Sequence, residues 1–372
     1  MVGVYLKPTN FCSVGCEHCY LDKALKADKT VMSPETLEQT AQFVRDFADS
    51  FWEKDPVQII FHGGEPLMMS GTWLENACEV LEKTLPNCRF AIQTSLMPLK
   101  EEHIAFLKKR TPYAIGSSLD WTFRTIQGSA ASYRDVYMKR VEFLRQHGLP
   151  TAVTLVAAKE DLPHAKEIVR WFFEHHLMTV QFERFIDESN SSIHLPSNLE
   201  HSLFLKDVFC EVMRLFEEKG EFMNVRIFRD VLSGVLDGRP CGIYGGACQS
   251  HLITVEPDGK VGLCPNRASY DAPCGSVQEG FEAFKHSKAR LHWILRQHLQ
   301  NESDACFKCP YAFWCKGACP ISPEKVSVSP DEDCGGHRVF IDFVADFAQK
   351  KQKTATEYLQ ACLTGKRNLP HC

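Results

Sequence analysis

The sequence lacks an excess of one charge: 42 Lys and Arg stand against 47 Asp and Glu, a net of −5 in 372 residues. That leaves no global basic field to draw in a nucleic acid. No apolar run is long enough to span a bilayer. The opening residues, MVGVYLKPTNFC, lack the charged-then-apolar order of a signal peptide, so the expected location is the cytoplasm, where thiols stay reduced. Repeats and low-complexity linkers are missing too. The 44% hydrophobic and 24% charged residues are ordinary for a globular chain, and the length allows more than one domain.

Cysteine is what the chain has in excess, with 17. In a long chain without a secretory signal, metal binding explains that better than disulfides. Isolated residues such as Cys78, Cys88, Cys210 and Cys362 suit the role of small buried hydrophobes. Two dense groups, Cys12–Cys19 and Cys241–Cys334, do not.

From residue 4 to about 185, short apolar runs alternate with amphipathic stretches. Strands are expected at Val4–Lys7, Val57–Phe61, Arg89–Thr94, Tyr113–Leu119, Thr151–Ala157 and Thr179–Phe185, runs rich in Val, Ile, Phe and Tyr. Helices are expected at about 34–52, 71–85, 100–109, 130–147 and 163–176. Ser33-Pro34-Glu35 reads as an N-cap with proline at the first helical position, and Gly148 as a C-cap. Repeated strand-then-helix units predict an α/β fold with a parallel sheet and crossover helices. Six units are too few for a closed eight-strand barrel, so an open sheet or partial barrel is expected, with its site at the C-terminal ends of the strands. Residues 190–235 read as helical after a polar lead-in at Ser189–Ser192. Beyond Cys241 the only clear hairpin is His251–Leu263, around Pro257-Asp258-Gly259. This stretch is too poor in apolar residues to build its own core, and metal would have to staple it. An amphipathic helix over about 337–361 precedes a polar tail.

The first group, Cys12-x3-Cys16-x2-Cys19-Tyr20, follows the first strand and so lies in a loop at the sheet's C-terminal rim. Three thiolates this close can hold three irons of a four-iron cluster and leave the fourth iron open. A zinc site would need a fourth ligand, for which His18 is available. Gly63-Gly64-Glu65-Pro66 closes the second strand. Glycines let backbone approach a ligand, and Glu65 offers a carboxylate to an ammonium.

The cysteine spacing with its following aromatic resembles the radical S-adenosylmethionine superfamily, and the Gly-Gly-Glu-Pro turn one strand later strengthens the likeness. The resemblance implies a partial (β/α)6 TIM-like barrel whose Cys12, Cys16 and Cys19 hold a catalytic [4Fe-4S] cluster. It implies that S-adenosyl-L-methionine lies against Tyr20, Gly63, Gly64, Glu65, Thr94 and Ser118, with Arg124 assisting and Leu155 packing on adenine. Leu155 reads equally well as an ordinary core leucine. Reductive cleavage of the cofactor would give a 5′-deoxyadenosyl radical that abstracts hydrogen from an unactivated C–H bond, the cofactor supplying the difficult step.

The later cysteines resemble the SPASM extension of these enzymes, a small cysteine-rich iron–sulfur domain with two auxiliary [4Fe-4S] clusters, three clusters in all. By that resemblance Cys241, Cys248, Cys264 and Cys319 hold one, and Cys306, Cys309, Cys315 and Cys334 the other. Zinc is the alternative for the C-x2-C pair. Cys274 is left over and reads as a structural thiol. The implied organisation is a radical core at 1–189, a helical connection at 190–240, the auxiliary-cluster domain at 241–337, and a helix and tail at 338–372.

Relatives of this kind include peptide maturases, sulfatase-activating enzymes and small-molecule dehydrogenases. The sulfatase-activating ones carry aspartate directly after the cysteine of a G-x4-C motif. Here Gly259-x4-Cys264 is followed by Pro265 and Asn266. Oxidative modification of a ribosomally made precursor peptide, crosslinking foremost, is therefore the leading reading, ahead of sulfatase maturation or small-molecule dehydrogenation. Cys12 lies almost at the start and only about 38 residues follow Cys334. The expectation is thus a separate leader-recognition protein, or direct peptide binding. His18, Glu183 and Arg184 stand at rim positions that could touch substrate, although surface or packing roles are commoner for such residues. An electron donor such as flavodoxin or ferredoxin is implied, and neither nucleic acid nor membrane is. An iron–sulfur electron carrier would explain the cysteines but not the Gly-Gly-Glu-Pro turn. A zinc-dependent nucleic-acid binder fails on the acidic balance.

Overall fold

The computed structural model describes residues 2–16, 19–51, 56–185, 194–265, 273–301, 304–319 and 334–365. Among the described residues ten strands follow one another: β1 (Gly3–Leu6), β2 (Gln58–Phe61), β3 (Arg89–Thr94), β4 (Ile115–Ser118), β5 (Thr151–Ala157), β6 (Thr179–Arg184), β7 (Asn224–Val225), β8 (Leu252–Val255), β9 (Lys260–Gly262) and β10 (Gly275–Ser276). The chain forms two compact units. One comprises Met1–Ser118, Ala131–Thr151 and Gln249–Leu295; the other Leu119–Ala130, Ala152–Cys248 and Arg296–Cys372.

In the first unit the strand order is β10-β9-β8-β1-β2-β3-β4. The pairs β1–β2, β2–β3 and β3–β4 are parallel, as strand–helix–strand connections require. Helix Pro34–Asp49 starts as its sequence dictates: the Ser33 hydroxyl accepts the Thr36 N–H at 3.0 Å. Its Leu37, Ala41, Val44 and Phe47 recur at helical spacing and are buried. Phe43 and Phe47 meet Phe284 edge to face, with centroids 5.3 and 5.9 Å apart. Fully burying each such ring is worth about 1.5–3 kcal/mol.

The 251–263 hairpin forms, and its first strand also extends the sheet: β8 lies parallel to β1, with Leu6 opposite Val255. That pairing answers the shortage of apolar residues after Cys241. Ile253, Val255 and Val261 are fully buried in a core built by other parts of the chain.

In the second unit β5, β6 and β7 are parallel neighbours, packed by helices Ala165–Glu174, Asn198–Lys219 and Arg226–Asp237. The expected helical stretch 190–235 is interrupted, because Gly220 closes the first helix in the left-handed region (φ 66°) and β7 follows. Its polar lead-in, Ser189–Ser192, lies outside the described residues. The expected helix 337–361 is two helices, Arg338–Lys350 and Gln352–Thr364, broken at Lys351 (φ −128°, ψ 51°) within a polar run. Among the described residues no helix is long and apolar enough to cross a membrane.

Candidate active site

The loop that follows β1 carries the first cysteine group. Its entry is pinned by the Cys12 N–H, which donates to the Lys26 carbonyl at 3.2 Å, and Val14 is buried as an internal anchor. Cys12, Cys16 and Cys19 stay half-buried; His18 lies outside the described residues. Burial pushes the Cys12 thiol up to about 11, and Glu65, Cys16 and Cys19 add to the shift. The three sulfurs thus share one electrostatic neighbourhood. Among the described residues, no three His, Cys, Asp or Glu converge on a point where a single ion could sit. In a four-iron cluster each thiolate takes a different iron, which three cysteines can supply.

The Gly-Gly-Glu-Pro turn is laid directly on the chain entering that loop. The Gly64 N–H donates to the Thr9 carbonyl at 3.1 Å and the Glu65 N–H to the Phe11 carbonyl at 3.0 Å. Neither glycine position has room for a side chain. A Cβ on Gly63, whose φ is 126°, would lie 2.6 Å from the Thr9 oxygen; one on Gly64 would lie 2.1 Å from the Asn10 oxygen. The Tyr20 hydroxyl donates to the Gly63 carbonyl at 3.2 Å, and burial pushes its phenol well above the ordinary value, so it remains a donor.

Glu65 does not present its carboxylate to the site. It is 1% exposed and accepts from Thr94 Oγ1 at 2.6 Å, the Ser95 N–H at 2.8 Å, the Ser95 hydroxyl, and the Leu67 N–H at 3.0 Å. This corrects the expectation of a free carboxylate waiting for an ammonium. Glu65 and Thr94 together brace the turn against the end of β3. Ser118 ends β4 half-buried, and its hydroxyl accepts from Gln93 Nε2 at 2.9 Å. Its neighbour Ser117 points the other way into the core, 2.5 Å from the Tyr137 hydroxyl.

Two expected cofactor contacts belong to the second unit. Arg124 pairs with the buried Asp120 at 2.5 Å, and Asp120 also accepts the Val156 N–H at 3.0 Å. Leu155 is fully buried in β5. It lies opposite Phe182, whose ring meets Phe172 and Phe204 of the covering helices. Alternation turns Thr154 and Val156 to the other, half-buried face. Leu155 therefore has the geometry of a core leucine, and its expected packing on adenine is not supported by its direction.

Of the candidate substrate contacts, Glu183 accepts from Gln181 Nε2 at 3.1 Å, and burial pushes its carboxyl up. Arg184 donates to Asn198 Oδ1 and the Pro196 carbonyl, and is 8% exposed. These contacts tie the end of β6 to the start of the helix Asn198–Lys219.

Cys306, Cys309, Cys315 and Cys334 all lie in the second unit. Cys315 is buried, and its thiol is pushed up to about 12, first by burial and then by Cys334, Cys309 and Cys306. Gly336 leaves the needed space, since a Cβ there would lie 2.8 Å from Cys315 Sγ and 3.5 Å from Cys334 Sγ. Trp314, beside them, packs on Gly234 and Tyr244. In the other set, Cys264 belongs to the first unit and Cys241, Cys248 and Cys319 to the second. Cys241 is buried. Cys274 is buried with its thiol pushed up to about 11, as suits a structural thiol.

Sequence reasoning missed two residues here. Lys7 and Glu256 form a fully buried ion pair at 2.7 Å beneath the cysteine loop. A lysine closing an apolar strand was the available signal, but its partner is 249 residues away.

Residues 6–172 match the family model of the Radical SAM superfamily. An uncharacterized protein of Methanocaldococcus jannaschii is 23% identical over 272 residues, 71% of this chain and 85% of that protein. A cysteine-type anaerobic sulfatase-maturating enzyme of Clostridium novyi is 23% identical over 279 residues, 71% of this chain and 73% of that one. Among solved structures, native anSMEcpe with bound AdoMet superposes with a TM-score of 0.76 at 19% identity, over 97% of this chain and 99% of that chain. Streptococcus suis SuiB bound to precursor peptide SuiA gives 0.56 at 15% identity, over 90% and 74%. At these identities the structures establish the fold, an α/β core with the parallel sheet of TIM-like radical SAM proteins.

Proposed function

We propose that this chain, a radical SAM superfamily enzyme by the match of its residues 6–172, oxidatively modifies a ribosomally made precursor peptide, foremost by crosslinking. The observation that carries the radical assignment is the direct backbone joining of the Cys12 loop to the Gly63-Gly64 turn. A peptide substrate is favoured because relatives of both kinds are known with peptides bound: anSMEcpe with AdoMet and the Cp18Cys peptide, and SuiB with precursor peptide SuiA. Pro265, where sulfatase-activating relatives carry aspartate, weighs against sulfatase maturation. The Clostridium novyi relative keeps that as the second reading.

In this reading Cys12, Cys16 and Cys19 would hold the catalytic cluster, with S-adenosylmethionine bound beside Tyr20, Gly63, Gly64, Thr94 and Ser118. The cluster and its bound cofactor would supply a 5′-deoxyadenosyl radical for hydrogen abstraction. The chain's own part is position. Gly63 and Gly64 let backbone, rather than side chain, line the turn. Glu65 and Thr94 fix that turn from behind, and Tyr20 holds its carbonyl. Asp120 orients Arg124. The sets Cys306, Cys309, Cys315, Cys334 and Cys241, Cys248, Cys264, Cys319 would hold two further clusters, giving about twelve irons. Residues 1–189 then carry the radical chemistry and 241–337 the auxiliary sites, joined by 190–240 and followed by 338–372. A separate leader-recognition protein and a flavodoxin or ferredoxin complete the system.

Co-expression with a neighbouring short open reading frame, followed by mass spectrometry of the peptide, tests the proposal. A crosslinked product is lighter by two hydrogens; epimerisation leaves the mass unchanged. An unmodified peptide, with active enzyme and any leader-binding partner present while a small metabolite is consumed, would favour a dehydrogenase instead.

A further inference from the structure

Lys7 is the first residue after β1, and Glu256 the first after β8. The two strands run parallel with Leu6 opposite Val255, so the next residues face one another. Their side chains are 0% exposed, and Lys7 Nζ lies 2.7 Å from Glu256 Oε1. A buried ion pair is a poor way to gain stability, because desolvation of both charges offsets their attraction. Its neighbours point to another role.

Lys7 Nζ stands 4.7 Å from the centroid of the Tyr20 ring, a cation–π distance. Tyr20 directly follows Cys19, and its hydroxyl holds the Gly63 carbonyl. The space a Cβ on Gly63 would take is 3.3 Å from Lys7 Cβ. The ammonium is therefore fixed where three segments meet: the cysteine loop, the glycine turn and the hairpin that ends in Cys264. Burial pulls the lysine pKa down; Glu256 opposes this most strongly, and the Cys264 and Cys19 sulfurs act in the same direction as Glu256. Beside it, His62 is held near 3 by burial and by Lys7, so it adds no second cation.

A four-iron cluster gains one negative charge on reduction, and its potential follows the net charge and hydrogen bonding around it. A cation fixed in a low-dielectric interior favours the more negative state, and it acts far more strongly there than in water. We infer that Lys7 is a positioning residue that sets the reduction potential of the cluster held by Cys12, Cys16 and Cys19, with Glu256 holding it in place. The inference rests on reading those cysteines as cluster ligands. Iron content of the parent enzyme, and a response of its reduced-cluster signal to S-adenosylmethionine, check that reading separately.

The test is a potentiometric titration of the reconstituted holoenzyme, following the electron paramagnetic signal that changes when S-adenosylmethionine is added. Lys7→Met should shift the equilibrium about tenfold toward the oxidised cluster, a fall of about 59 mV for one electron. Glu256→Gln should move it the opposite way. Loss of a merely structural contact would give shifts of one sign or none. Equal-sign shifts, or changes under twofold in both variants, overturn the inference. Should Lys7→Met fail to fold, Lys7→Gln, which keeps a hydrogen bond to Glu256 without the charge, takes its place. A lowered potential in that variant supports the inference. An unchanged potential, failure of Lys7→Gln to fold or loss of its iron overturns it, because Lys7 would then serve stability or cluster retention.

Discussion

Glu65 and Thr94 are joined by a 2.6 Å hydrogen bond that ties the turn after β2 to the last residue of β3. Ser95 adds its backbone N–H at 2.8 Å and its hydroxyl. Glu65→Ala would leave these buried donors without an acceptor, at a cost of roughly 1–3 kcal/mol. The expected outcome is a lower denaturation midpoint in the cofactor-free protein, with weaker S-adenosylmethionine binding following from a displaced turn. Unchanged stability with weakened binding would mean that the carboxylate acts on the cofactor directly.

Gly64→Ala tests the contact between the two motifs. Its Cβ would stand 2.1 Å from the Asn10 carbonyl oxygen, closer than any relaxation of the Cβ alone can relieve. The turn must lift off the chain that leads into Cys12. Both S-adenosylmethionine affinity and iron occupancy at the first site should fall, measured by equilibrium dialysis and iron analysis. Full retention of both would show that the turn and loop are independent.

Gly336→Ala should remove one cluster selectively. The added methyl would sit 2.8 Å from Cys315 Sγ, in the space between two ligands. Reconstituted protein should lose about four of about twelve irons, while 5′-deoxyadenosine formation in the absence of peptide persists. Retention of the full iron content would remove Cys315 and Cys334 from the ligand set.

The iron-free protein should lose stability as pH rises from about 9 to about 11. The buried Cys12 thiol is pushed up to about 11 from an ordinary value near 9. The unfolded chain therefore ionises first, and the stabilisation is present below the unfolded value and lost through the folded one. Iron uptake moves the other way: it releases the thiol proton and strengthens with pH below about 11. Urea midpoints at about pH 8 and about pH 10, with and without reconstitution, bracket the unfolded value and check both signs.

Much of the fold was legible because β/α repetition leaves a local imprint. β3 and β5 coincide end to end with the expected Arg89–Thr94 and Thr151–Ala157, and Ser33 caps its helix as the Ser-Pro-Glu string implies. The break at Lys351 falls in a polar run that a helix surface could equally carry, so the composition did not single it out. Side-chain direction was the harder matter. Glu65 reads as a ligand and is turned inward by donors at the end of β3; Leu155 sits one residue out of phase with the half-buried face of β5. The Lys7–Glu256 pair and the β1–β8 pairing depend on contacts across about 250 residues, which no local pattern carries.

The most direct test of the proposed chemistry supplies the reduced, reconstituted enzyme with S-adenosylmethionine and a precursor peptide deuterated at its candidate modified residues. Deuterium should appear in the 5′-deoxyadenosine formed, about one per crosslink, and none should come from Cys12→Ala, Cys16→Ala or Cys19→Ala enzyme. A peptide modified without deuterium transfer, or no 5′-deoxyadenosine from fully loaded enzyme, would contradict radical modification of a peptide at this site.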